Sequence, residues 1–199
     1  MRLVLASESR ARRAMLTAAG LTFEVVASGV DERAARAAMS SKSEAIDAVT
    51  LAQHLAGVKA EAVSRTAPDA LVIGGDQVLA LGNEVFEKPV DLAAARKSLM
   101  RLRGREHALH SAVVLASNGR VAWRHVQSAR LVMRPFSEAF LDDYLAAVGS
   151  RVLSVVGAYE LEGRGVQLFE RIEGDHFTIL GMPLLALIEE LRRREVLAA

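Results

Sequence analysis

Apolar positions in the first third of the chain occur both as short continuous runs and at helical spacing. The run "LVLAS" at 3–7 predicts a strand, and "RARRAMLTAAG" after it predicts a helix that ends with a glycine cap at Gly20. "TFEVVAS" at 22–28 indicates a second strand. Residues 43–65 repeat apolar side chains with the period of a helix and begin with a serine, so they predict one long helix.

Strands and hairpin turns dominate the prediction for the middle of the chain. "DALVIGGDQVLAL" at 69–81 indicates two strands separated by a Gly-Gly break, and "GN" at 82–83 indicates a hairpin turn. Beyond this hairpin we predict helices that begin at Asp91 and Ser137, with two strands joined by "SNG" between them.

The C-terminal part of the chain is predicted to combine further strands with a closing helix. The segment at 154–175, "SVVGAYELEGRGVQLFERIEGD", alternates like a strand, and "PLLALIEELRRREV" has the period of a helix. Because strands and helices mix without regular βαβ units, the pattern predicts an α/β or α+β fold with a mixed sheet.

Composition narrows the class of protein. A chain of 199 residues can form one domain, or two small lobes that share a cleft. Its 25 basic and 24 acidic side chains give a net charge of +1, which provides no reason to expect a nucleic-acid or membrane partner. The absence of cysteine excludes disulfides and thiolate metal ligands. Because neither a signal peptide nor a membrane span is evident, we expect a cytoplasmic protein.

The start of the first predicted helix has the features of a phosphate-binding site. A strand leads into Ser7 and Ser9, and Arg10, Arg12 and Arg13 follow in the first turn. Helix N-termini present unpaired N–H groups and the positive end of the dipole, which attract phosphate. Arginines in that turn oppose the dipole and are easier to explain if an anion binds there. A capped helix with solvated arginines is the alternative, and this feature alone fits both.

Three further charged residues could serve phosphate chemistry. Asp76 follows a buried run and two glycines, which suits a general base or a magnesium ligand. Lys88 precedes a proline that keeps it extended, and Lys59 lies within the long helix. A turn aspartate and solvated lysines are the ordinary alternatives. P-loop, H-E-x-x-H and G-x-S-x-G motifs are absent. Together with the serines and arginines, these residues favour attack of water on a nucleotide phosphate.

Seven short motifs, in order along nearly the whole chain, resemble the Maf family of nucleoside triphosphate pyrophosphatases. The last of them is long, rich in glycine and specific. The motifs are "LASESRARRAML", "VDE" at 30–32, "LAGVKA" at 55–60, "GGDQV" at 74–78, "EKP" at 87–89, "LRGREH" at 102–107 and "GAYELEGRGVQLFERIEGDHFTILGMPL" at 157–184.

The resemblance implies both a fold and an activity. The fold is α/β and Maf/inosine-triphosphatase-like, a single domain over 1–199 with a mixed twisted sheet, flanking helices and two lobes around a cleft, often in a homodimer. The activity is hydrolysis of the α–β phosphoanhydride of a nucleoside triphosphate to a monophosphate and pyrophosphate, with Mg²⁺ or Mn²⁺. Matched residue by residue, the family's sites are the proton acceptor Asp76, the substrate-binding residues Ser9, Arg12, Glu32, Lys59 and Lys88, and the metal-binding residues Glu32 and Asp76.

A few positions depart from the family pattern or bear on the choice of base. Ala11 stands where the family opening has an arginine, and Val155 stands where a lysine is common. The specificity positions are Ala11, Gln77 and Glu162. Gln77 and Glu162 resemble the 7-methyl-GTP branch, although that branch often has a tryptophan in place of Ala11. We therefore expect a guanine-type substrate such as 7-methyl-GTP. The alternatives are a dTTP/UTP-preferring pyrophosphatase and a nucleotide-binding regulator of septum formation in cell division.

Overall fold

A computed structural model describes residues 1–40 and 47–198, which form a β-sheet flanked by helices. No helix in these residues is long and apolar enough to cross a membrane. The strands are β1 (Arg2–Ala6), β2 (Glu24–Val25), β3 (Ala70–Leu81), β4 (Glu84–Phe86), β5 (Glu106–Ser117), β6 (Arg120–Met133) and β7 (Phe169–Glu173). The helices are α1 (Arg10–Ala18), α2 (Glu32–Ser40), α3 (Ala48–Thr66), α4 (Leu92–Leu102), α5 (Glu138–Val148), α6 (His176–Ile179) and α7 (Leu184–Arg193).

The sheet is mixed, which confirms the α/β prediction. Its strand order is β2-β1-β3-β5-β6-β7, and β4 pairs with β3 outside this path. β1 runs parallel to β2 and β3, whereas β4 is antiparallel to β3 and β7 is antiparallel to β6. The register places Ala6 beside Gly74, so β1 ends next to the part of β3 that leads into Asp76.

The chain divides into two compact units. Unit 1 consists of Met1–Gln77, His110–Ser128 and Asp175–Ala199, and unit 2 consists of Val78–Leu109 and Ala129–Gly174. Unit 1 therefore contains α1, α2, α3, α6 and α7, and unit 2 contains α4, α5 and β7. Three strands, β3, β5 and β6, contribute residues to both units.

An apolar core holds α1 and α7 against the strands of unit 1. Its fully buried members include Leu5 of β1, Leu16 of α1, Ile73 of β3, Leu115 of β5 and Leu187 of α7. Each such side chain stabilises the fold by about 1.5–3 kcal/mol relative to an exposed one. This core fixes α1, and with it the residues at the N-terminus of that helix.

A buried aromatic group lies in unit 2. The ring of His107 packs against Tyr159 and Phe169, and its Nε2 atom lies 2.8 Å from the Tyr159 hydroxyl. Its Nδ1 atom is buried. Burial, offset only in part by the backbone of Arg105, lowers the pKa of His107 to about 4. The ring is therefore neutral near pH 7.

This histidine is expected to make the protein less stable in acid. Above the unfolded pKa of about 6.5 the ring is neutral in both states, whereas between about 6.5 and 4 only the unfolded chain binds the proton. The free energy of unfolding should fall by roughly 2 kcal/mol between pH 7.5 and pH 5 from this group. Urea unfolding at both pH values measures the change. His107→Gln should flatten the dependence over this range, and an unchanged slope in that variant would contradict the assignment.

One strand replaces the two strands predicted at 69–81. β3 is continuous from Ala70 to Leu81 and runs through Gly74 and Gly75, so the predicted Gly-Gly break is wrong. Neither glycine marks a turn, because each is extended and leaves room for a neighbour that approaches the strand closely. The turn predicted at 82–83 is confirmed, since Leu81 pairs with Glu84 across it.

Residues 154–175 contain much less strand than the alternating pattern predicts. Only β7 forms a strand there. Val156–Ala158 and Arg164–Leu168 form 3-10 turns, as does Gly149–Ser154 just before them. Gly157 has φ of +84° and Ala158 has φ of +60°, which end any extended run. A side chain at Gly165 would overlap the backbone of Glu160, so this glycine permits a tight turn.

Two other predictions need smaller corrections. The strand predicted at 22–28 is reduced to β2, two residues that pair with β1. The helix predicted at 43–65 is present as α3, which begins after the N-cap Asp47, and residues 43–46 of that prediction lie outside the described residues. α2 was not predicted, although Asp31 caps its N-terminus by accepting from the backbone N–H groups of Arg33 and Ala34.

Candidate active site

The N-terminus of α1 holds a buried arginine. Ser9 is the N-cap, and its hydroxyl accepts a hydrogen bond from the backbone N–H of Arg12 at 3.4 Å. The side chain of Arg12 is directed into unit 1, while Arg10 and Arg13 are exposed. The one arginine that the resemblance selected is thus the only buried one in this turn.

Two polar groups of unit 1 fix the Arg12 guanidinium. Its Nε–H donates to the backbone carbonyl of Gly181 at 2.8 Å, and its Nη1 donates to the Ser7 hydroxyl at 3.1 Å. Ser7 lies directly after β1 and is itself buried. Its hydroxyl oxygen also accepts from the backbone N–H of Ser9. Strand β1 and helix α1 therefore place a serine hydroxyl and a guanidinium side by side.

Two glycines leave the space that this guanidinium occupies. A side-chain carbon at Gly75 would lie 3.0 Å from the Arg12 Nε atom, a tight contact that would require the guanidinium to shift. At Gly181, φ is +103° and a side-chain carbon would lie 3.5 Å from Arg12 Nη2. Gly75 therefore leaves room for the guanidinium, whereas Gly181 is required by its positive φ.

The guanidinium of Arg12 keeps its positive charge although it is buried. Burial lowers the pKa of its guanidinium, and the carboxylates of Asp76 and Glu32 act in the opposite direction. Arginine stays protonated in proteins even so. Because its two hydrogen-bond partners in unit 1 are neutral oxygens, the cation is well suited to receive an anionic ligand.

A second cation, Lys59, lies between two carboxylates. Its Nζ atom is 2.6 Å from Asp76 Oδ1 and 2.7 Å from Glu32 Oε1. The side chains of Lys59 and Asp76 are each 9% exposed, whereas that of Glu32 is 50% exposed. The group thus reaches from the interior of unit 1 to solvent. The second carboxylate oxygen of Asp76, Oδ2, accepts no hydrogen bond from the described residues.

Close packing of α3 on β3 brings Lys59 to Asp76. A side-chain carbon at Gly74 would overlap the carbonyl oxygen of Ala56 and would lie 2.7 Å from the Cβ atom of Ala60. Only glycine at this position lets the helix approach so near. The first glycine of "GGDQV" therefore serves the Lys59 contact, and the second serves Arg12.

The carboxylate pair fits a small divalent cation. Carboxylate oxygens are hard ligands, and Mg²⁺ usually takes one or two of them together with waters and substrate phosphates. Within 1–40 and 47–198, no group of three or more His, Asp or Glu side chains could hold a metal by itself. Glu32 and Asp76 thus supply a donor set of the size that Mg²⁺ or Mn²⁺ uses when a phosphate completes its coordination.

The structure brings together most but not all of the residues that the sequence selected. Ser9, Arg12, Glu32, Lys59 and Asp76 all lie in unit 1, where the contacts above form two groups, Ser9–Arg12 and Glu32–Lys59–Asp76. Ala11 and Gln77, two of the three specificity candidates, belong to the same unit and are partly buried.

Two candidates belong to unit 2. Lys88 follows β4 and is exposed, and Glu162 lies in an exposed turn before the Arg164–Leu168 segment. Neither makes an ion pair with another described residue. Their roles in binding the triphosphate and the base remain predictions.

Two residues of this site, Ser7 and Gly181, were missed or undervalued by the sequence reasoning. Ser7 was considered only as part of the phosphate-binding helix start and was not among the selected site residues, yet its hydroxyl accepts a hydrogen bond directly from Arg12 Nη1. Gly181 contributes a carbonyl from 169 positions further along the chain, which no local pattern indicates. The signal available for Ser7 was its place at the end of β1, two residues before the N-cap.

Known proteins are similar to this chain over nearly its whole length. The family model described as "Maf-like protein" matches residues 2–194. A protein of Rhizobium meliloti (strain 1021) named 7-methyl-GTP pyrophosphatase is 51% identical over 190 residues, which cover 96% of this chain and 94% of that protein.

Two further relatives are similar over nearly their full length. A 7-methyl-GTP pyrophosphatase of Brucella abortus biovar 1 (strain 9-941) is 48% identical over 195 residues, 98% of this chain and 97% of its own. A nucleoside triphosphate pyrophosphatase of Hyphomonas neptunium (strain ATCC 15444) is 49% identical over 193 residues, 97% of this chain and 96% of its own.

Proposed function

This chain belongs to the Maf-like protein family, and on that premise we propose that it is a nucleoside triphosphate pyrophosphatase. It hydrolyses the α–β phosphoanhydride and releases a nucleoside monophosphate and pyrophosphate. The names of the relatives support this activity. The observation that carries it is the Glu32–Lys59–Asp76 group in the same unit as the Ser7–Arg12 pair. A carboxylate can accept the proton of an attacking water, and an ammonium and a held guanidinium can stabilise the charge that develops on the phosphates.

Each residue of unit 1 has a distinct task in this proposal. Arg12 and the N-terminus of α1 bind phosphate oxygens, since both offer donors and positive charge. Asp76 accepts the proton of the attacking water through Oδ2, because Oδ1 is held by Lys59. Lys59 orients that carboxylate and adds positive charge near the phosphates. A divalent cation, when bound by Glu32 and Asp76, would neutralise phosphate charge.

We propose a guanine-type base, with 7-methyl-GTP as the first candidate. Two of the relatives described above carry that name. Guanine presents N–H donors at N1 and N2, and the carboxylate of Glu162 can accept both. The 7-methylated base is cationic, so a carboxylate also gains charge assistance that a neutral pyrimidine does not provide. Ala11 provides no aromatic face for the methylated cation, so selectivity for the methyl group should be weaker than in a relative with tryptophan there.

Glu162→Gln should reduce the preference for guanine-type nucleotides. A hydrogen bond to a charged group contributes about 1.5–3 kcal/mol, so kcat/KM for 7-methyl-GTP should fall roughly tenfold or more relative to dTTP and UTP. Steady-state kinetics with the three nucleotides measure this ratio. Glu170→Gln, which changes another exposed glutamate of unit 2, is the control and should leave the ratio unchanged. If the unaltered protein already prefers dTTP, the role of Glu162 is wrong while the pyrophosphatase proposal stands.

A nucleotide panel tests the activity itself. Pyrophosphate release is measured from GTP, 7-methyl-GTP, dTTP, UTP, CTP and ATP, each with Mg²⁺, with Mn²⁺ and with EDTA. We expect release from at least one guanine nucleotide with either cation and none with EDTA. Release of orthophosphate instead of pyrophosphate would place the cleaved bond elsewhere. Tight nucleotide binding without any hydrolysis would favour the regulatory alternative.

Three further features are proposed on the family resemblance. They are a requirement for Mg²⁺ or Mn²⁺, a cytoplasmic location and a homodimer. The carboxylate pair of unit 1 supports the first, and the lack of cysteine in the sequence is compatible with the second. Sedimentation at several protein concentrations tests the third.

A further inference from the structure

The carbonyl that holds Arg12 belongs to a short turn whose shape is fixed by hydrogen bonds. Asp175 caps α6 by accepting from both the N–H and the hydroxyl of Thr178, at 2.8 and 2.9 Å. After the helix, Gly181 N–H donates to Thr178 O and Met182 N–H donates to Phe177 O. This is a Schellman pattern, and it requires the positive φ of Gly181. The turn therefore presents the Gly181 carbonyl in one orientation.

Two side chains of unit 1 anchor this turn to the sheet. The Ser111 hydroxyl, on β5, donates to Thr178 O at 2.7 Å. Gln77 Nε2, on β3, lies 3.0 Å from the Ser111 hydroxyl oxygen, 3.2 Å from Thr178 O and 3.0 Å from Ile179 O. Ser111 is fully buried, so neither solvent nor a ligand that binds from solvent can reach it. Its polar contacts are all directed at Gln77 and the turn.

These contacts fix the orientation of the Gln77 amide. The opposite orientation would place its oxygen against two carbonyl oxygens, which cannot donate a hydrogen bond. The –NH₂ group of Gln77 is therefore committed to the protein. An effect of Gln77 on the bound base would have to come from its Oε1 atom or through the turn that it anchors.

A continuous path of hydrogen bonds links Ser111 to the guanidinium. Ser111 donates to the Thr178 carbonyl, which also accepts from Gly181 N–H, and the Gly181 carbonyl accepts from Arg12 Nε. An arginine side chain has four flexible torsions, so this anchor decides where its remaining donors point. A small displacement of such a group can reduce the rate of a reaction greatly.

We propose that Ser111 is a positioning residue that, together with Gln77, sets the place of the Arg12 guanidinium through the Thr178–Gly181 turn. The effect on catalysis rests on the proposed pyrophosphatase function, whereas the effect on Arg12 itself does not. Ser111 touches neither substrate nor reacting atoms. Its hydroxyl acts on the reaction only through Arg12.

The first experiment compares Ser111→Ala with Ser64→Ala. Ser64 is also fully buried in unit 1, and its hydroxyl donates to Glu61 O and accepts from Gly119 N–H, but it has no contact with Arg12. NMR of the arginine Hε–Nε groups, assigned with Arg12→Lys, measures hydrogen exchange of the Arg12 Nε–H. We expect exchange about tenfold faster in Ser111→Ala and unchanged in Ser64→Ala. Equal exchange in the two variants overturns the proposal. If Ser111→Ala does not fold, Ser111→Cys, with its weaker donor, should show a smaller change in the same direction.

The second experiment is a double-mutant cycle on activity. Ser111→Ala should lower kcat/KM for the preferred nucleotide about five- to tenfold in the unaltered protein. It should change kcat/KM less than twofold in Arg12→Lys, because lysine lacks the Nε–H that the Gly181 carbonyl accepts. An equal loss in both backgrounds shows a structural role and overturns the proposal. If the unaltered protein hydrolyses no nucleotide, the proposed function fails, and hydrogen exchange alone still decides the role of Ser111.

Discussion

Asp76→Asn is expected to lower the rate of pyrophosphate release by about 10² to 10⁴ while the protein stays folded. The carboxylate is the proton acceptor in the proposed reaction and, with Glu32, the proposed metal ligand. Asparagine keeps an oxygen that can accept from Lys59 Nζ, now 2.6 Å from Asp76 Oδ1. It has no negative charge, so it can neither take up the proton of water nor bind a divalent cation as strongly. Single-turnover kinetics with the preferred nucleotide measure the loss.

The control for Asp76→Asn is an aspartate in an ordinary ion pair. Asp69 belongs to the same unit, and its side chain is 67% exposed and paired with Arg2 on the surface. Asp69→Asn should leave the rate within a factor of two. Asp69→Asn should melt within a few degrees of the unaltered protein, since exposed ion pairs contribute about 0–1 kcal/mol. Asp76→Asn should stay folded but melt at a lower temperature, because it removes the charge of one partner of the buried Lys59 pair. An Asp76→Asn variant with near-normal turnover would remove this residue from the chemistry.

Local elements of the site were predictable because their signals lie close together in sequence. Ser9 caps α1 as expected. Gly20 ends it with φ of +77°, its N–H donating to Thr17 O while Leu21 N–H donates to Leu16 O. Such caps depend on a few neighbouring residues, so a single sequence shows them. The candidate set Arg12, Glu32, Lys59 and Asp76 came from motif order. The structure places all four in one unit and pairs the last three through Lys59.

The predictions that were wrong, and the contacts that were missed, depend on residues far apart in sequence. Gly74 and Gly75 were interpreted as a break between two strands because glycine often interrupts a strand. In the structure, Gly74 lies against α3 and Gly75 lies against the Arg12 side chain. The alternation in 154–175 predicted strands, and the positive φ of Gly157 and Ala158 cannot be read from that alternation. The anchoring of Gln77 by Thr178 and Ile179 spans about a hundred positions. Only the folded chain shows which neighbour each of these residues serves.

The Lys59 contacts explain why this cation should matter for both stability and catalysis. The ammonium is bound to Asp76, which is as buried as Lys59, and to Glu32, which is half exposed. Without the positive charge of Lys59, the repulsion between the carboxylates of Asp76 and Glu32 would no longer be offset. Removing one partner of a buried ion pair typically costs about 3–5 kcal/mol, and the exposure of Glu32 places this case at or below the lower end of that range. A bound divalent cation would offset the same repulsion.

Lys59→Met should therefore lower kcat/KM by about 10² to 10³, the range found when a donor that stabilises developing charge is removed. It should also lower the melting temperature. Because ligand binding to the folded state stabilises it, Mn²⁺ should raise the melting temperature of Lys59→Met by more than it raises that of the unaltered protein. Kinetics and thermal denaturation with Mn²⁺ or EDTA measure both effects. Lys97→Met, at an exposed lysine of α4 without an ion pair to another described residue, should change neither.

If Lys59→Met loses stability and keeps full activity, the lysine is a structural partner of Asp76 and no part of the phosphate site. If activity falls but Mn²⁺ stabilises both proteins equally, Lys59 acts on the phosphates and the carboxylate pair is not the metal site.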